Sequence, residues 1–378
     1  MLESAYDLRI HLEMDHLEAE LILLPDRNPV MIAARAERTS ELPAGYTEAD
    51  RRIHFTSEAG TILPLSSRSG HDERAAYYPP YPSEAVRVGA LLEVDLEHRP
   101  PGQPAQSVQI TRRADFLILA PADASVLENG FIDDFRIGHY LDTSDPAIYE
   151  RYFIQSSWHK KHPERYQVPN YFYKVTEATT DLKIAPHQTL GFYAMDYPWK
   201  SLGLPQYIAL DLHLVRKVED LIDLLQADGR SVTGFTPIYG FRSPAFNLGT
   251  IKARPDSTLK EPLSMHQYGR AVDLIVDEDG DGLLDDLNGD GHIDIHDAEV
   301  LMRYVNHLDR AYRARGEMNL VGGAGLYSEN DFIERNRYFD HNTPYIHIDT
   351  RGFLADNGHL IRWPARWPDG SYIAWGDI

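Results

Sequence analysis

Two residue types that bind first-row metals stand close together in Ser264-Met265-His266-Gln267-Tyr268-Gly269-Arg270-Ala271-Val272-Asp273, an S-x-H-x-x-G-x-A-x-D arrangement. A neutral imidazole and a carboxylate are both good ligands for such ions. Gly269, between His266 and Asp273, lets the backbone bend until the two side chains converge. A third ligand has to come from a distant part of the chain. Pro344-Tyr345-Ile346-His347-Ile348-Asp349-Thr350-Arg351 offers a candidate. Its alternation predicts a strand with Tyr345, His347 and Asp349 on one face and Ile346 and Ile348 on the other.

A second constellation is acidic. Counted from Asp286, oxygen side chains fall at loop positions 1, 3, 5, 9 and 12: Asp286, Asn288, Asp290, Asp294 and Asp297. Glycine stands at position 6, His292 at 7 and Ile293 at 8. That is the spacing of an EF-hand calcium loop, in which hard oxygen ligands neutralise a divalent cation. Position 12 carries Asp, as dockerin-like loops commonly do, instead of the usual Glu. An overlapping loop begins with Asp277, Asp279 and Asp281 and reaches Asp285 and Asn288. This tandem overlap resembles thrombospondin type 3 calcium repeats. Packed carboxylates repel one another unless a cation sits among them, so calcium is expected in both loops.

The metal motif resembles the zinc D-Ala-D-Ala carboxypeptidase family, most of all its cell-envelope branch of murein-processing proteins. Lysostaphin-type peptidases and the hedgehog signalling domain share that metal core. The resemblance covers about residues 180 to 378 and implies an α+β zinc domain whose ligands are His266, Asp273 and His347. Gly240-Phe241-Arg242-Ser243-Pro244, with Asn247 after it, is similar to a further element of these peptidases. Its arginine, Arg242, is expected to hold a substrate carboxylate or carbonyl oxygen. Asp181 to Leu190 resembles the segment that opens the envelope-type domain.

Such a ligand set leaves zinc one open position for water and lets the ion polarise a peptide carbonyl. A general base is also needed. Many relatives carry a Glu three residues before the last ligand, or a His two before it; here those positions are Pro344 and Tyr345. Asp340 and His341 are the nearby candidates for the base. Tyr345 would serve as a hydrogen-bond donor, and Asp349 would orient a ligand from behind.

The elements that must position these groups follow from periodicity. Leu214, Val218, Leu221, Ile222 and Leu225 predict a helix closed by Gly229. Thr236 to Tyr239 reads as a short strand leading into the Arg242 turn. Val300, Leu301, Tyr304, Val305, Leu308 and Tyr312 predict a second helix, stopped by Gly316 and begun at the acidic loop. Calcium in the 277–297 insert is therefore expected to fix the spacing of the zinc ligands indirectly. Gly322-Gly323-Ala324-Gly325 reads as a sheet-edge approach beside the site.

The chain has 378 residues, which suggests two domains. Residues 1–120 read as an antiparallel β-sandwich-like accessory domain. Leu8, Ile10, Leu12 and Met14 alternate with polar residues, as do Leu92, Val94 and Leu96, and shorter runs lie at 18–24, 52–55, 108–111 and 116–119. Residues 121–180, rich in Tyr and Phe, read as a connector whose rings are packed. Residues 181–378 would form the zinc domain with the calcium insert.

The formal net charge of −21 disfavours nucleic acid and anionic lipid as partners. Absence of cysteine excludes disulfides and thiolate metal sites. No apolar run is long enough to span a membrane. A periplasmic or other cell-envelope location is expected, with any signal sequence removed. The expected activity is zinc-dependent cleavage of peptidoglycan stem peptides, as a D,D-carboxypeptidase or murein endopeptidase. The alternative is a catalytically silent fold serving as a calcium-stiffened envelope binding protein, with a protein or glycan contact through the N-terminal domain. A dockerin-like adhesion role ranks last, because the acidic segment is a single internal insert.

Overall fold

The computed structural model describes residues 2–65, 72–81, 83–154, 162–195, 203–247, 263–328, 343–355 and 357–363. The chain is a mixture of strands and helices, divided into two compact units, Met1–Ala122 and Asp123–Ile378.

The first unit is two four-stranded sheets. One has the order β1-β3-β6-β5: β1 (Tyr6–Leu12), β3 (Val30–Arg38), β5 (Thr61–Pro64) and β6 (Asp72–Tyr78). The other has the order β2-β8-β7-β4: β2 (Leu21–Leu23), β4 (Tyr46–Ser57), β7 (Ala85–His98) and β8 (Gln106–Leu119). Alternation drives the packing. Tyr6, Leu8, Ala34 and Ala36 from one sheet share a core with Leu92, Val94, Leu96 and Ile110 from the other. Glu93, Asp95 and Glu97 take the opposite face of β7.

Two expectations are corrected here. The runs at 108–111 and 116–119 are one strand, because β8 pairs with β7 along its whole length and carries the polar Arg112 and Arg113 through. The unit is also not purely antiparallel. β2 lies parallel to β8, with Leu21 opposite Leu117, and gives that sheet a parallel edge.

The second unit holds a five-stranded sheet of order β9-β10-β12-β11-β13: β9 (Thr236–Tyr239), β10 (Ala271–Ile275), β11 (Ala324–Tyr327), β12 (Tyr345–Asp349) and β13 (Arg362–Trp363). The pairs are antiparallel except β11 with β13. Both central strands, β10 and β12, are buried along their full length. Two helices accompany the sheet. α1 (Leu212–Ala227) is capped by Asp211 and buries Leu214, Val218, Leu221, Ile222 and Leu225. α2 (Ile295–Arg315) packs on α1, β11 and β12, and ends at Gly316 in the left-handed region.

The segment expected as a connector belongs to this second unit. Phe153 and Tyr166 are buried in one cluster with Met265 and Tyr268, and the Tyr166 and Tyr268 rings meet edge to face at 5.6 Å. Such a pair contributes about 0.5–1.5 kcal/mol beyond its buried area. Tyr140 donates its hydroxyl to the Gln267 carbonyl at 2.8 Å. The aromatic segment therefore props the turn that carries His266.

Candidate metal centre

Sheet register places the site. Asp273 on β10 lies directly opposite His347 on β12, so both side chains leave the sheet on one face. Tyr239 on β9 is opposite Asp273 on its other side, and Gly325 on β11 is opposite His347. Tyr345 and Asp349 flank His347 at two-residue spacing on the same face.

His266 arrives from a 3-10 turn, Met265–Tyr268, which ends at Gly269 with φ 64° and ψ 24°. A Cβ on Gly269 would stand 2.2 Å from the Ala209 carbonyl oxygen. Glycine is required there both for the left-handed backbone and for the close approach of a neighbouring chain segment.

Three donor atoms converge. His266 Nε2 lies 3.2 Å from Asp273 Oδ1 and 3.1 Å from His347 Nδ1, and His347 Nδ1 lies 2.7 Å from Asp273 Oδ1. All three residues are buried. The outward atoms of both rings are already committed. His266 Nδ1 donates to the Gly240 carbonyl at 2.7 Å, and His347 Nε2 faces Asp349 Oδ2 at 3.3 Å. Each ring therefore spends its N–H away from the centre and turns its other nitrogen inward. Two imidazole lone pairs and a carboxylate facing one another repel unless a cation lies among them. Atoms bound tetrahedrally at the distances of zinc ligands stand roughly 3.3 Å apart. The donor set fits a first-row metal ion in both chemistry and spacing.

Without a metal, the buried groups are perturbed in different directions. Burial, and then the Arg242 guanidinium, lower the His266 pKa to about 4. For His347 burial works against the charged ring, but the Asp273 and Asp349 carboxylates outweigh it and raise its pKa. Burial also opposes ionisation of Asp273, yet both histidines hold it well below the ordinary carboxylate range. Asp349 is likewise lowered against the cost of burial, chiefly by Arg351. Arg351 Nε donates to both Asp349 oxygens, at 2.9 and 3.0 Å. The Gly323 amide adds a further bond to Oδ1 at 2.6 Å.

Around these atoms stand Arg242 and a set of rings. The Arg242 guanidinium lies 5.4 Å from the Tyr239 ring centre, its Nη2 donates to Ser264 Oγ at 3.2 Å, and its buried Nε has no partner among the described residues. Tyr345 stacks on Tyr327 at 4.6 Å. Burial and the nearby Asp273 carboxylate raise the Tyr345 phenol well above its usual pKa, so it stays protonated. Trp363 lies across Gly325 and sits 4.9 Å from the His347 ring, with Nε1 donating to Tyr327 Oη at 2.9 Å. A Cβ on Gly325 would fall 1.9 Å from that indole nitrogen.

Of the expected site residues, the fold brings together His266, Asp273, His347, Arg242 and Tyr345. Asp340 and His341 lie outside the described residues. Trp363 and Arg351 had not been expected at the site. The two-residue spacing of His347, Asp349 and Arg351 was the available signal for Arg351.

In the acidic insert, carboxylate oxygens of Asp277, Asp279 and Asp285 lie within 4.8 Å of one another. Burial and the surrounding carboxylates raise the Asp285 pKa. Asp277, Asp279 and Asp285 accept the amides of Gly282, Asp281 and Glu278, and the Asp286 loop is built in the same way. Asp286 accepts the amides of Gly289, Asp290 and Gly291, and Asn288 and Asp290 accept those of Asp290 and His292. Asp294 and Asp297 form a reciprocal cap on α2, where Asp297 is buried and also accepts the Asn288 amide. Asp281 Oδ1 accepts the Leu283 amide. Both loops use acidic side chains as turn acceptors, and the carboxylate oxygens within 4.8 Å of one another are those of Asp277, Asp279 and Asp285.

No protein-family profile matches this chain. No curated protein matches it. Among solved structures, a DUF4426 family protein from Pseudomonas aeruginosa is similar at 8% identity, covering 29% of this chain and 90% of that chain, with a TM-score of 0.12.

Proposed function

We propose that the second unit is a zinc-dependent peptidase of the D-Ala-D-Ala carboxypeptidase type, with the hedgehog-like α+β architecture of that group, acting on peptidoglycan stem peptides. The first unit would be its β-sandwich-like accessory domain and the cell envelope its location. One observation carries the reading: His266, Asp273 and His347 turn three donor atoms toward one buried point while the outward nitrogens of both rings are held elsewhere.

Zinc bound there would supply Lewis acidity and an activated water. The remaining work falls to side chains of this protein. Arg242, whose Nε has no partner among the described residues, can hold the terminal carboxylate of a stem peptide or the oxygen of the scissile carbonyl. Tyr345 keeps its proton and can donate to the same developing charge. Asp349 and Gly240 fix the two histidine tautomers. Asp340 and His341 remain the candidates for moving a proton between water and leaving amine. Calcium held by Asp277, Asp279, Asp281 and Asp285, and by the loop of Asp286, Asn288, Asp290, His292, Asp294 and Asp297, would stiffen the insert that links β10 to α2.

The test is metal content followed by digestion of purified muropeptides. Wild type should carry about one zinc per chain and release D-Ala or cut cross-links. His266→Ala should lose both. A specific feature favours a second reading, since Pro344 and Tyr345 stand where related peptidases carry Glu or His. Zinc uptake by the wild type with no cleavage would favour a binding protein built on the same metal scaffold.

A further inference from the structure

Lys217 on α1 is fully buried, a costly place for an ammonium group. Its Nζ donates to Asp309 Oδ1 on α2 at 2.6 Å and to the Asp349 carbonyl oxygen at the end of β12 at 3.0 Å. Asp309 is equally buried, and its other oxygen accepts from Arg362 Nη2 on β13 at 2.7 Å. Arg362 also donates from Nε to Asn306 Oδ1 on α2 at 2.6 Å, and from Nη1 to the Gly322 carbonyl at 3.0 Å. Two cations and one carboxylate therefore join both helices to two strands of the sheet.

Stability alone does not account for this network. Apolar side chains of similar volume usually serve a core as well as a buried ion pair, or better. What the network grips is more telling. Lys217 holds the backbone of Asp349, whose carboxylate faces His347 Nε2. Arg362 holds the carbonyl of Gly322, and the next residue, Gly323, donates its amide to Asp349 Oδ1. Gly323 also accepts the Asp349 amide at 3.0 Å. Asp349 is thus clamped through its own backbone and through the loop that binds its side chain.

We infer that Lys217, Asp309 and Arg362 are positioning residues for the metal centre, acting through Asp349. They fix where the Asp349 carboxylate stands. That carboxylate fixes the His347 ring with Nδ1 turned toward Asp273. The inference rests on the metal reading of His266, Asp273 and His347.

The test compares zinc affinity with fold stability in the full chain. The triple variant Lys217→Met, Asp309→Leu, Arg362→Met removes all three charges at similar volume. Asp309→Asn keeps the shape and removes one charge. Zinc affinity is read by competition with a chromophoric chelator, and stability by the melting temperature of the metal-free protein. The triple variant should melt at or above the wild-type temperature yet bind zinc about tenfold more weakly, the loss typical of disturbing groups behind a ligand. Asp309→Asn should also weaken zinc binding, and it decides the matter if the triple variant does not fold. Folded variants with wild-type zinc affinity overturn this inference while leaving the proposed function standing. A wild type that takes up no zinc overturns both.

Discussion

His266 and His347 sit in one buried cluster but answer to pH with opposite signs. The folded His266 pKa of about 4 lies below its unfolded value near 6.5. Between those values the unfolded chain binds the proton and the folded chain does not. Stability of the metal-free protein should therefore rise with pH across that window, by roughly 3 kcal/mol at most. His347 has a raised folded pKa, so its contribution is complete below about 6.5 and is lost as pH climbs through the raised value. Chelator-stripped protein should melt highest near pH 6.5 and lower on either side, which calorimetry across pH 4 to 8 checks. A steady rise to pH 8 would contradict this. Gly269 makes a second prediction. Gly269→Ala should cost more than about 2 kcal/mol in denaturant titration, since the new methyl meets the Ala209 carbonyl while the backbone is left-handed.

At the scale of elements, much of the site was legible. The strand alternation around His347 and the glycine-bent S-x-H-x-x-G-x-A-x-D segment both became structure, because each is set by neighbours in sequence. Both helix stripes were readable for the same reason. The buried ion network was not read, though a signal existed. Lys217 falls between Leu214 and Leu221 on the apolar face of α1, and Asp309 between Val305 and Tyr312 on that of α2. A charge on an apolar stripe calls for a distant partner, and local periodicity does not say which one. Trp363 over Gly325 was hidden likewise, since β13 joins the sheet through a parallel pairing with β11 that local sequence does not announce. Among the described residues a buried bond links the acidic insert toward the site: the Leu284 amide donates to Thr343 Oγ1 at 2.8 Å, two residues before β12 begins. Thr343→Val should leave that amide without an acceptor and cost about 1–3 kcal/mol. If calcium acts through this link, calcium chelation should lower the melting temperature less in the variant than in the wild type.

For the whole molecule, the division after Ala122 assigns every proposed metal ligand to one unit. Binding to the folded state alone stabilises by about 4 kcal/mol at a thousandfold excess over Kd. Zinc should therefore raise the melting transition of the second unit and leave that of the first in place. Two-component calorimetry, with the fragment 123–378 as reference for the second component, checks this. A shift of both transitions would mean that the units unfold as one. The net charge of −21 adds a directional effect, since a strongly acidic surface attracts divalent cations more at low ionic strength.

The indole of Trp363 resting beside the His347 ring turns the centre into its own optical gauge. A paramagnetic ion such as cobalt, exchanged for zinc, would drain excitation from a fluorophore held at that range. Emission should dim in proportion to loading, and Trp363→Phe should abolish most of the response. Occupancy could then be followed in real time with no added dye, whether or not a substrate is ever found.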